Sequence, residues 1–128
     1  MEKKILIVDD DVLVREVFNL SLKYSGYFVF LADNWYQAIE ILEREKLDIL
    51  LTDFRMPPIG GINNGIELIR FVKLNKMNSY NSQMKIILMS AEMNDSIKSV
   101  ALAAGADKIV NKLDMCLENQ FKELLEKI

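Results

Sequence analysis

Several acidic residues, a serine and a lysine stand where their side chains could handle a phosphoryl group. The acidic run Asp9-Asp10-Asp11 follows an apolar segment at residues 5–8, and Asp53 closes a second apolar segment. Ser90 ends a third, and Lys112 follows a short fourth. Apolar runs of this length, bounded by polar or turn residues, are typical of strands covered on both faces. The pattern therefore predicts that each of these side chains lies at the end of a buried strand.

Each of these residue types has a use in phosphoryl transfer if parallel strands bring their carboxyl ends to one edge. Crowded carboxylates repel one another, and a hard cation such as Mg²⁺ relieves this while keeping sites for water and phosphate oxygens. A carboxylate is also a nucleophile toward phosphorus and gives an aspartyl phosphate. The metal, the ammonium of Lys112 and the hydroxyl of Ser90 would then share the charge on the phosphoryl oxygens.

Taken singly, these residues have plainer interpretations. Three aspartates after a strand commonly form a turn and a helix cap. Asp53, shortly before Pro57, can be an ordinary loop residue, and Lys112 can be a solvated surface charge. The joint arrival of all of them at four strand ends favours the phosphoryl site over coincidence.

The segments between these residues alternate between strand and helix patterns. We predict strands at residues 5–8, 27–32, 47–53, 86–89 and 108–111. Helices are predicted at residues 11–24, after a cap at Asn34, from Ile66, after a cap at Asn94 or Asp95, and over a final stretch from Leu117 to Ile128. The inward positions would be Val14, Val17, Phe18 and Leu22 in the first helix and Ile97, Val100, Ala101 and Ala104 in the fourth. Five strand–helix units with right-handed crossovers predict an α/β fold, a doubly wound parallel sheet with helices on both faces.

Length and composition predict one globular domain over residues 1–128. The chain is 51% hydrophobic and 27% charged, which suits a packed core. Its formal charge of -3, without a concentrated basic face, argues against direct nucleic-acid binding. A single cysteine excludes an internal disulfide and suits a reducing cytoplasm. The first apolar run is too short for a signal peptide or a membrane span.

Over essentially its whole length the sequence resembles the response-regulator receiver domain, the CheY-like family. The motifs that carry the resemblance are Ile5-Leu6-Ile7-Val8-Asp9-Asp10, Leu51-Thr52-Asp53-Phe54-Arg55-Met56-Pro57, Met89-Ser90-Ala91, Gly105-Ala106 and Lys112. The resemblance implies the strand order 2-1-3-4-5 of the flavodoxin-like (βα)5 fold. It also implies a two-component phosphorelay protein that is not a classical enzyme, although it promotes its own aspartyl phosphorylation and dephosphorylation.

The resemblance also assigns roles to single residues. Asp53 would be the phosphoacceptor, and Mg²⁺ would be bound by Asp9, Asp10, Asp53 and the backbone carbonyl of Arg55. Ser90 and Lys112 would contact the phosphoryl group. The donor would be a phosphohistidine on a sensor histidine kinase or a histidine phosphotransfer protein, since this chain contains no histidine. A downstream effector protein, or an effector domain beyond the C-terminal end, would read the fourth helix, fifth strand and fifth helix.

The sequence departs from the family pattern in four places. Seven residues separate Pro57 from the glycine at position 65, where the family usually has three between that proline and an Asp-Gly pair, and Asn64 replaces the Asp of the pair. This inserted segment, residues 58–64, could modulate access or partner choice, or be a tolerated surface insertion. Leu113 follows Lys112 where the family has a cis proline, so a trans bond is expected. Ile109 occupies the position of an aromatic switch residue. Apart from these departures, Arg55 and Glu92 flank the site at positions where the family tunes dephosphorylation.

Three other functions remain open from the sequence. One is a degenerate receiver that binds a partner without phosphorylation, against which the full set of acids, hydroxyl and lysine argues. Another is a small aspartate-nucleophile phosphatase of the haloacid dehalogenase kind, for which Asp9-Asp10-Asp11 has the right Asp-x-Asp spacing but a cap domain is lacking. The third is a flavin-binding electron carrier, which would need a Ser-, Thr- and Gly-rich phosphate loop where this chain has acids.

Overall fold

The computed structural model describes residues 2–75, 83–92, 94–115 and 123–125. Within these ranges the chain alternates strand and helix from end to end, as predicted. The elements are β1 (Lys3–Val8), α1 (Val12–Lys23), β2 (Tyr27–Ala32), α2 (Trp35–Arg44), β3 (Ile49–Asp53), α3 (Gly65–Asn75), β4 (Lys85–Ser90), α4 (Asp95–Ala104), β5 (Lys108–Asn111) and α5 (Lys112–Met115).

The strands form one parallel sheet with the order β2-β1-β3-β4-β5, which confirms the predicted fold class and strand order. Register brings the strand ends level with one another: Val8 pairs with Thr52, and Asp53 pairs with Met89. Ser90, the last residue of β4, pairs with the last residue of β5. The acids, the serine and the lysine that follow these strands therefore meet at one edge of the sheet.

Helices cover the sheet on both faces because successive strand residues point to opposite sides. Leu50 belongs to a core cluster shared with residues of α2, α3 and α4. Its neighbour Leu51 belongs to a second cluster shared with Phe18 and Leu22 of α1 and with Met115 of α5. Every residue of β3 is buried, so the strand that carries Asp53 is held from both sides.

Side-chain caps set where α1, α2 and α4 begin. The side-chain oxygens of Asp11, Asn34 and Asn94 accept hydrogen bonds from backbone amides in the first turns of α1, α2 and α4, at 2.8–2.9 Å. These bonds satisfy amides that have no partner within the helix. The predicted caps at Asn34 and Asn94 are thus confirmed, while Asp11 caps the first helix rather than belonging to it.

Two predicted core positions are wrong. Val17 and Val100 are 49% and 39% exposed. A helix lying on a sheet buries only a narrow stripe, and in α1 the buried or half-buried positions Val14, Phe18 and Leu22 fill it. Val17 falls instead on a neighbouring exposed line that we call the α1 apolar stripe: Leu13, Val17, Leu20 and Tyr24. The prediction for the final helix concerns mostly residues outside the described ranges, although Leu125 is buried as expected.

A backbone hydrogen bond joins the two ends of the inserted segment, and one of its side chains is buried in the core. The amide of Gly65 donates to the carbonyl of Phe54 at 2.8 Å, which brings the two ends of the loop together. Ile59 and Ile62 pair as an antiparallel bridge across a turn of two glycines with positive φ. Ile62 is buried and belongs to the core cluster that contains residues of α2, α3 and α4. The insertion is therefore part of the packed structure.

No helix among the described residues is both long and apolar enough to span a membrane.

Candidate functional site

Asp53 lies at the carboxyl end of β3 with only 5% of its surface exposed. Its backbone is fixed by the strand pairing and by the hydroxyl of Thr52, which donates to the Asp53 carbonyl at 3.1 Å. Gly65 packs directly against that carbonyl: a Cβ at position 65 would lie 2.4 Å from the Asp53 oxygen. The backbone of Asp53 is thus fixed at the end of the strand, where the residue lines a cleft.

Lys112 places its ammonium between two carboxylates. Its Nζ lies 3.0 Å from Oδ2 of Asp53 and 2.9 Å from Oδ2 of Asp9, and the lysine side chain is 20% exposed. The contact with Asp53 is a hydrogen bond, whereas the contact with Asp9 is an ion pair without hydrogen-bond alignment. Lys112 is therefore a fixed positive charge beside the candidate nucleophile and not the solvated surface charge of the plainer interpretation.

Three carboxylates converge beside this lysine. Oxygen atoms of Asp9, Asp10 and Asp53 lie within 4.8 Å of one another. Asp9 is fully buried, and its Oδ1 accepts a hydrogen bond from the amide of Asp11 at 2.9 Å, whereas Asp10 is exposed at the mouth of the cleft. Hard oxygen donors at this separation suit a divalent cation of the Mg²⁺ or Ca²⁺ class. The acidic triad could therefore bind a metal ion.

Burial and neighbouring charges shift the pKa values of Asp53 and Lys112. The pKa of the Asp53 carboxyl is raised above its ordinary value by burial and by the nearby charge of Asp9, and the hydrogen bonds from Lys112 and the Arg55 amide only partly offset this. Burial would lower the pKa of Lys112, but its contacts with Asp9 and Asp53 outweigh burial and raise it. A second cation in the cleft would relieve the remaining repulsion between the carboxylates.

Ser90 forms part of the wall of the cleft. It is 2% exposed, and its hydroxyl oxygen accepts a hydrogen bond from the amide of Glu92 at 3.0 Å. The carboxylate of Glu92 in turn pairs with the guanidinium of Arg55, which also lies over the ring of Phe54 at 5.2 Å. The Arg55–Glu92 ion pair thus links the loops after β3 and β4 at the cleft.

The cleft has a volume of about 340 Å³ and is lined by Asp10, Asp11, Asp53, Arg55, Ser90, Ala91, Glu92 and Lys112. Every predicted site residue except Asp9 and Ile109 lines it. Asp9 lies behind it in contact with Lys112, and Ile109 is half-buried on β5, packed against the core cluster of α2, α3 and α4. The described residues contain no cis peptide bond, so the Lys112–Leu113 bond is trans as expected.

Two structural contributors were not identified from the sequence. Nη1 of Arg15 donates to the backbone carbonyl of Asp9 at 2.6 Å. Gly65 is the other, through its close approach to the Asp53 carbonyl. The sequence signal that could have indicated the Arg15 contact is the position of Arg15, one helical turn after an acidic run. The Asn64–Gly65 step, in the place of the family's Asp-Gly pair, was the signal for the second.

Comparison with known proteins agrees with this geometry. A family model described as "Response regulator receiver domain" matches residues 5–125. Response regulator MprA of Mycobacterium leprae is 34% identical over 109 residues, covering 85% of this chain and 44% of that protein. The phosphate regulon transcriptional regulatory protein PhoB of Pseudomonas aeruginosa is 33% identical over 110 residues, covering 86% and 45%. The chain thus spans less than half the length of these curated relatives.

Solved structures show the same fold. Chemotaxis protein CheY4 of Vibrio cholerae superposes with a TM-score of 0.88 over 100% of this chain and 99% of that one, at 22% identity. A CheY-like receiver domain protein of Methanospirillum hungatei superposes with a TM-score of 0.81 over 99% and 94%, at 26% identity. The first likeness bears on the fold alone.

Proposed function

The chain belongs to the response regulator receiver family of two-component systems, and from that premise we propose that Asp53 accepts a phosphoryl group from a phosphohistidine. The observation that carries the proposal is the contact between Lys112 and Asp53, with carboxylate oxygens of Asp9 and Asp10 close by. A buried carboxylate beside a fixed ammonium combines a nucleophile with a charge that stabilises phosphoryl oxygens.

In the proposed reaction an oxygen of the Asp53 carboxylate attacks phosphorus. An oxygen–phosphorus bond forms as the nitrogen–phosphorus bond of the donor breaks, and the imidazole nitrogen retains the electron pair. Lys112 turns from the carboxylate to the new phosphoryl oxygens, and the Ser90 hydroxyl, now held by the Glu92 amide, donates to one of them. The chain acts as a phosphoacceptor rather than as a classical enzyme.

We propose Mg²⁺ as the ion of the acidic triad. Asp9, Asp10 and Asp53 would supply carboxylate oxygens, and the Arg55 carbonyl would supply a backbone oxygen. When bound, Mg²⁺ supplies positive charge that offsets the repulsion between the acids and the incoming phosphoryl oxygens. The geometry supports this assignment, because three carboxylates converge where the described structure places one lysine ammonium, and that leaves the site with a surplus of negative charge.

The receiver family implies a kinase partner, and for this chain we propose a sensor histidine kinase or a histidine phosphotransfer protein in the cytoplasm. The sequence has no histidine of its own to carry the donor phosphoryl group. The α1 apolar stripe supports a docking role: Leu13, at its start, is 70% exposed and lies two residues beyond the acidic run. Exposed apolar side chains at helical spacing suit contact with a partner helix.

Phosphorylation would shift the domain between two conformations. The proposed output face is α4, β5 and α5, read by an effector protein or by an effector domain in a longer chain, with no direct contact to nucleic acid or membrane by this domain. Because Ile109 replaces an aromatic residue, we propose a small rearrangement of the loop from Ser90 to Asn94 as the response. That loop includes Glu92, so the Arg55–Glu92 pair would open or close as the loop moves. Through that movement the pair would tune dephosphorylation.

The proposal is tested by intact-mass measurement after incubation with acetyl phosphate and Mg²⁺. One phosphoryl adduct is expected on the wild-type chain, and none on Asp53→Asn or in the presence of a chelator. A folded wild-type chain that gains no adduct from acetyl phosphate or from any phosphohistidine donor would support a phosphorylation-independent binding module instead. Continuous release of phosphate from simple esters would support a phosphatase.

A further inference from the structure

Arg15 makes a short, charged contact with the backbone of the acidic site. It is the fourth residue of α1, and its Nη1 donates to the carbonyl oxygen of Asp9 at 2.6 Å. The side chain is half-buried, and it forms no ion pair with any carboxylate that the structure describes. A hydrogen bond from a guanidinium is stronger and more directional than one between neutral groups. Arg15 thus acts on one peptide group rather than on an acid side chain.

That peptide group is the one that leads to Asp10. The carbonyl of Asp9 and the amide of Asp10 belong to the same rigid plane, so fixing the oxygen also fixes the direction in which Asp10 leaves the strand. Asp9 has other anchors: its amide donates to the carbonyl of Ala32, and its carboxylate contacts the Asp11 amide and Lys112. Among the described residues, the exposed Asp10 side chain has no hydrogen bond or ion pair of its own.

We infer that Arg15 is a positioning residue for cation binding, holding the Asp9–Asp10 peptide so that the Asp10 carboxylate faces Asp9 and Asp53. The inference rests on the proposed magnesium site and adds to it a residue outside the set of ligands. The direction of the expected change in Mg²⁺ affinity distinguishes positioning by Arg15 from a simple charge effect. A nearby cation repels Mg²⁺, so electrostatics alone predicts tighter Mg²⁺ binding when Arg15 is neutralised, whereas loss of positioning predicts weaker binding.

The test measures the Mg²⁺ dissociation constant of three chains by NMR amide titration: wild type, Arg15→Met and Lys23→Met. Lys23→Met is the matched control, because it removes the same charge from the exposed last turn of α1, about 12 Å further along the helix. We expect Arg15→Met to weaken Mg²⁺ binding about tenfold, the low end of losses seen when residues supporting metal ligands are removed. Lys23→Met should leave the constant unchanged, and thermal unfolding checks that each chain is folded.

A double-mutant cycle with Asp10→Asn tests whether Arg15 acts on Mg²⁺ binding through Asp10. If Arg15 acts through Asp10, Arg15→Met should add little to the loss already caused by Asp10→Asn. Unchanged or tighter Mg²⁺ binding by Arg15→Met, or a full tenfold loss in the Asp10→Asn background, would overturn the inference. Arg15→Gln serves as a second variant, with the same expected loss, if Arg15→Met does not fold. A wild-type chain that binds no Mg²⁺ would instead refute the proposed metal site, and the inference with it.

Discussion

Replacing Lys112 by methionine removes the only ammonium that the described structure places between Asp9 and Asp53. The substitution keeps the length and apolar stem of the side chain but leaves two buried carboxylates facing each other, 0% and 5% exposed. Removing one partner of a fully buried ion pair costs roughly 3–5 kcal/mol. Lys112 itself is 20% exposed and the cleft is open to solvent, so we expect a smaller loss. The expected decrease in the free energy of unfolding is about 2 kcal/mol at neutral pH without metal.

The pH dependence of that loss follows from the sign of the pKa shifts. The folded-state pKa of Lys112 is raised above its ordinary 10.5, so the stability it contributes is complete at neutral pH and is lost only as the pH rises through the raised value. Asp53 also has a raised pKa, so its ionised form opposes folding, and that cost is relieved as the pH falls through its folded-state value. The difference in the free energy of unfolding between Lys112→Met and wild type should therefore shrink in acid, where Asp53 is protonated.

The assay is urea unfolding of Lys112→Met, with Lys108→Met as the control. Lys108 is an exposed lysine at the start of β5, so its removal changes the net charge equally and should shift stability by no more than about 0.5 kcal/mol. Measurements at neutral pH, at about pH 4 near the usual aspartate pKa, and with added Mg²⁺ complete the set. The difference should narrow in acid and with Mg²⁺, which neutralises the same carboxylates. Equal stability of the two variants at neutral pH without metal would show that Lys112 does not hold the acid pair together.

Three further outcomes follow from the same contacts. Mg²⁺ binding measured by calorimetry should weaken as the pH falls through the raised pKa of Asp53, because the proton and the metal compete for that carboxylate; a flat profile down to the pKa of an ordinary aspartate would contradict the raised value. Ile62→Ala should lower the free energy of unfolding by about 2–4 kcal/mol, because Ile62 is 7% exposed in the core, and the half-buried Ile59→Ala should cost less in the same urea series. Equal losses would mean that the inserted segment does not pack through Ile62. Gly65→Ala should lower the free energy of unfolding by about 1–3 kcal/mol, measured by thermal unfolding, because the new Cβ would lie 2.4 Å from the Asp53 carbonyl oxygen. An unchanged unfolding midpoint would show that the backbone at the base of the loop moves to accommodate the methyl group.

The sheet was predictable because its central strands are apolar on both faces. Residues 5–8 and 86–89 contain no polar side chain, and a parallel sheet covered on both sides buries such runs completely. Short polar residues before the helices, such as Asn34 and Asn94, predicted the N-terminal caps. Strand ends then brought the acids, Ser90 and Lys112 to one edge without any knowledge of distances.

Contacts that depend on side-chain reach across the fold were not predictable. Periodicity placed Val17 inward because the spacing of apolar residues does not show how narrow a stripe the sheet accepts. Nothing in the sequence shows that Lys112 reaches Asp9 as well as Asp53, or that Arg15 turns back to the Asp9 carbonyl. The burial of Ile62 was hidden for a different reason: the glycines around it indicate a loop, and only the folded loop shows which side chain points inward.

The central claim is that Asp53, among three neighbouring carboxylates, is the one that receives the phosphoryl group. The most direct test is to phosphorylate the wild-type chain with acetyl phosphate and Mg²⁺, reduce the acyl phosphate with borohydride to a stable homoserine, and locate that residue by peptide mass spectrometry. We expect homoserine at position 53 alone. Of the three acids, only Asp53 both lines the cleft and pairs with Lys112 in the described structure, since Asp9 lies behind the cleft and Asp10 has no ion pair with Lys112. Homoserine at position 9 or 10, with position 53 unmodified, would contradict the account.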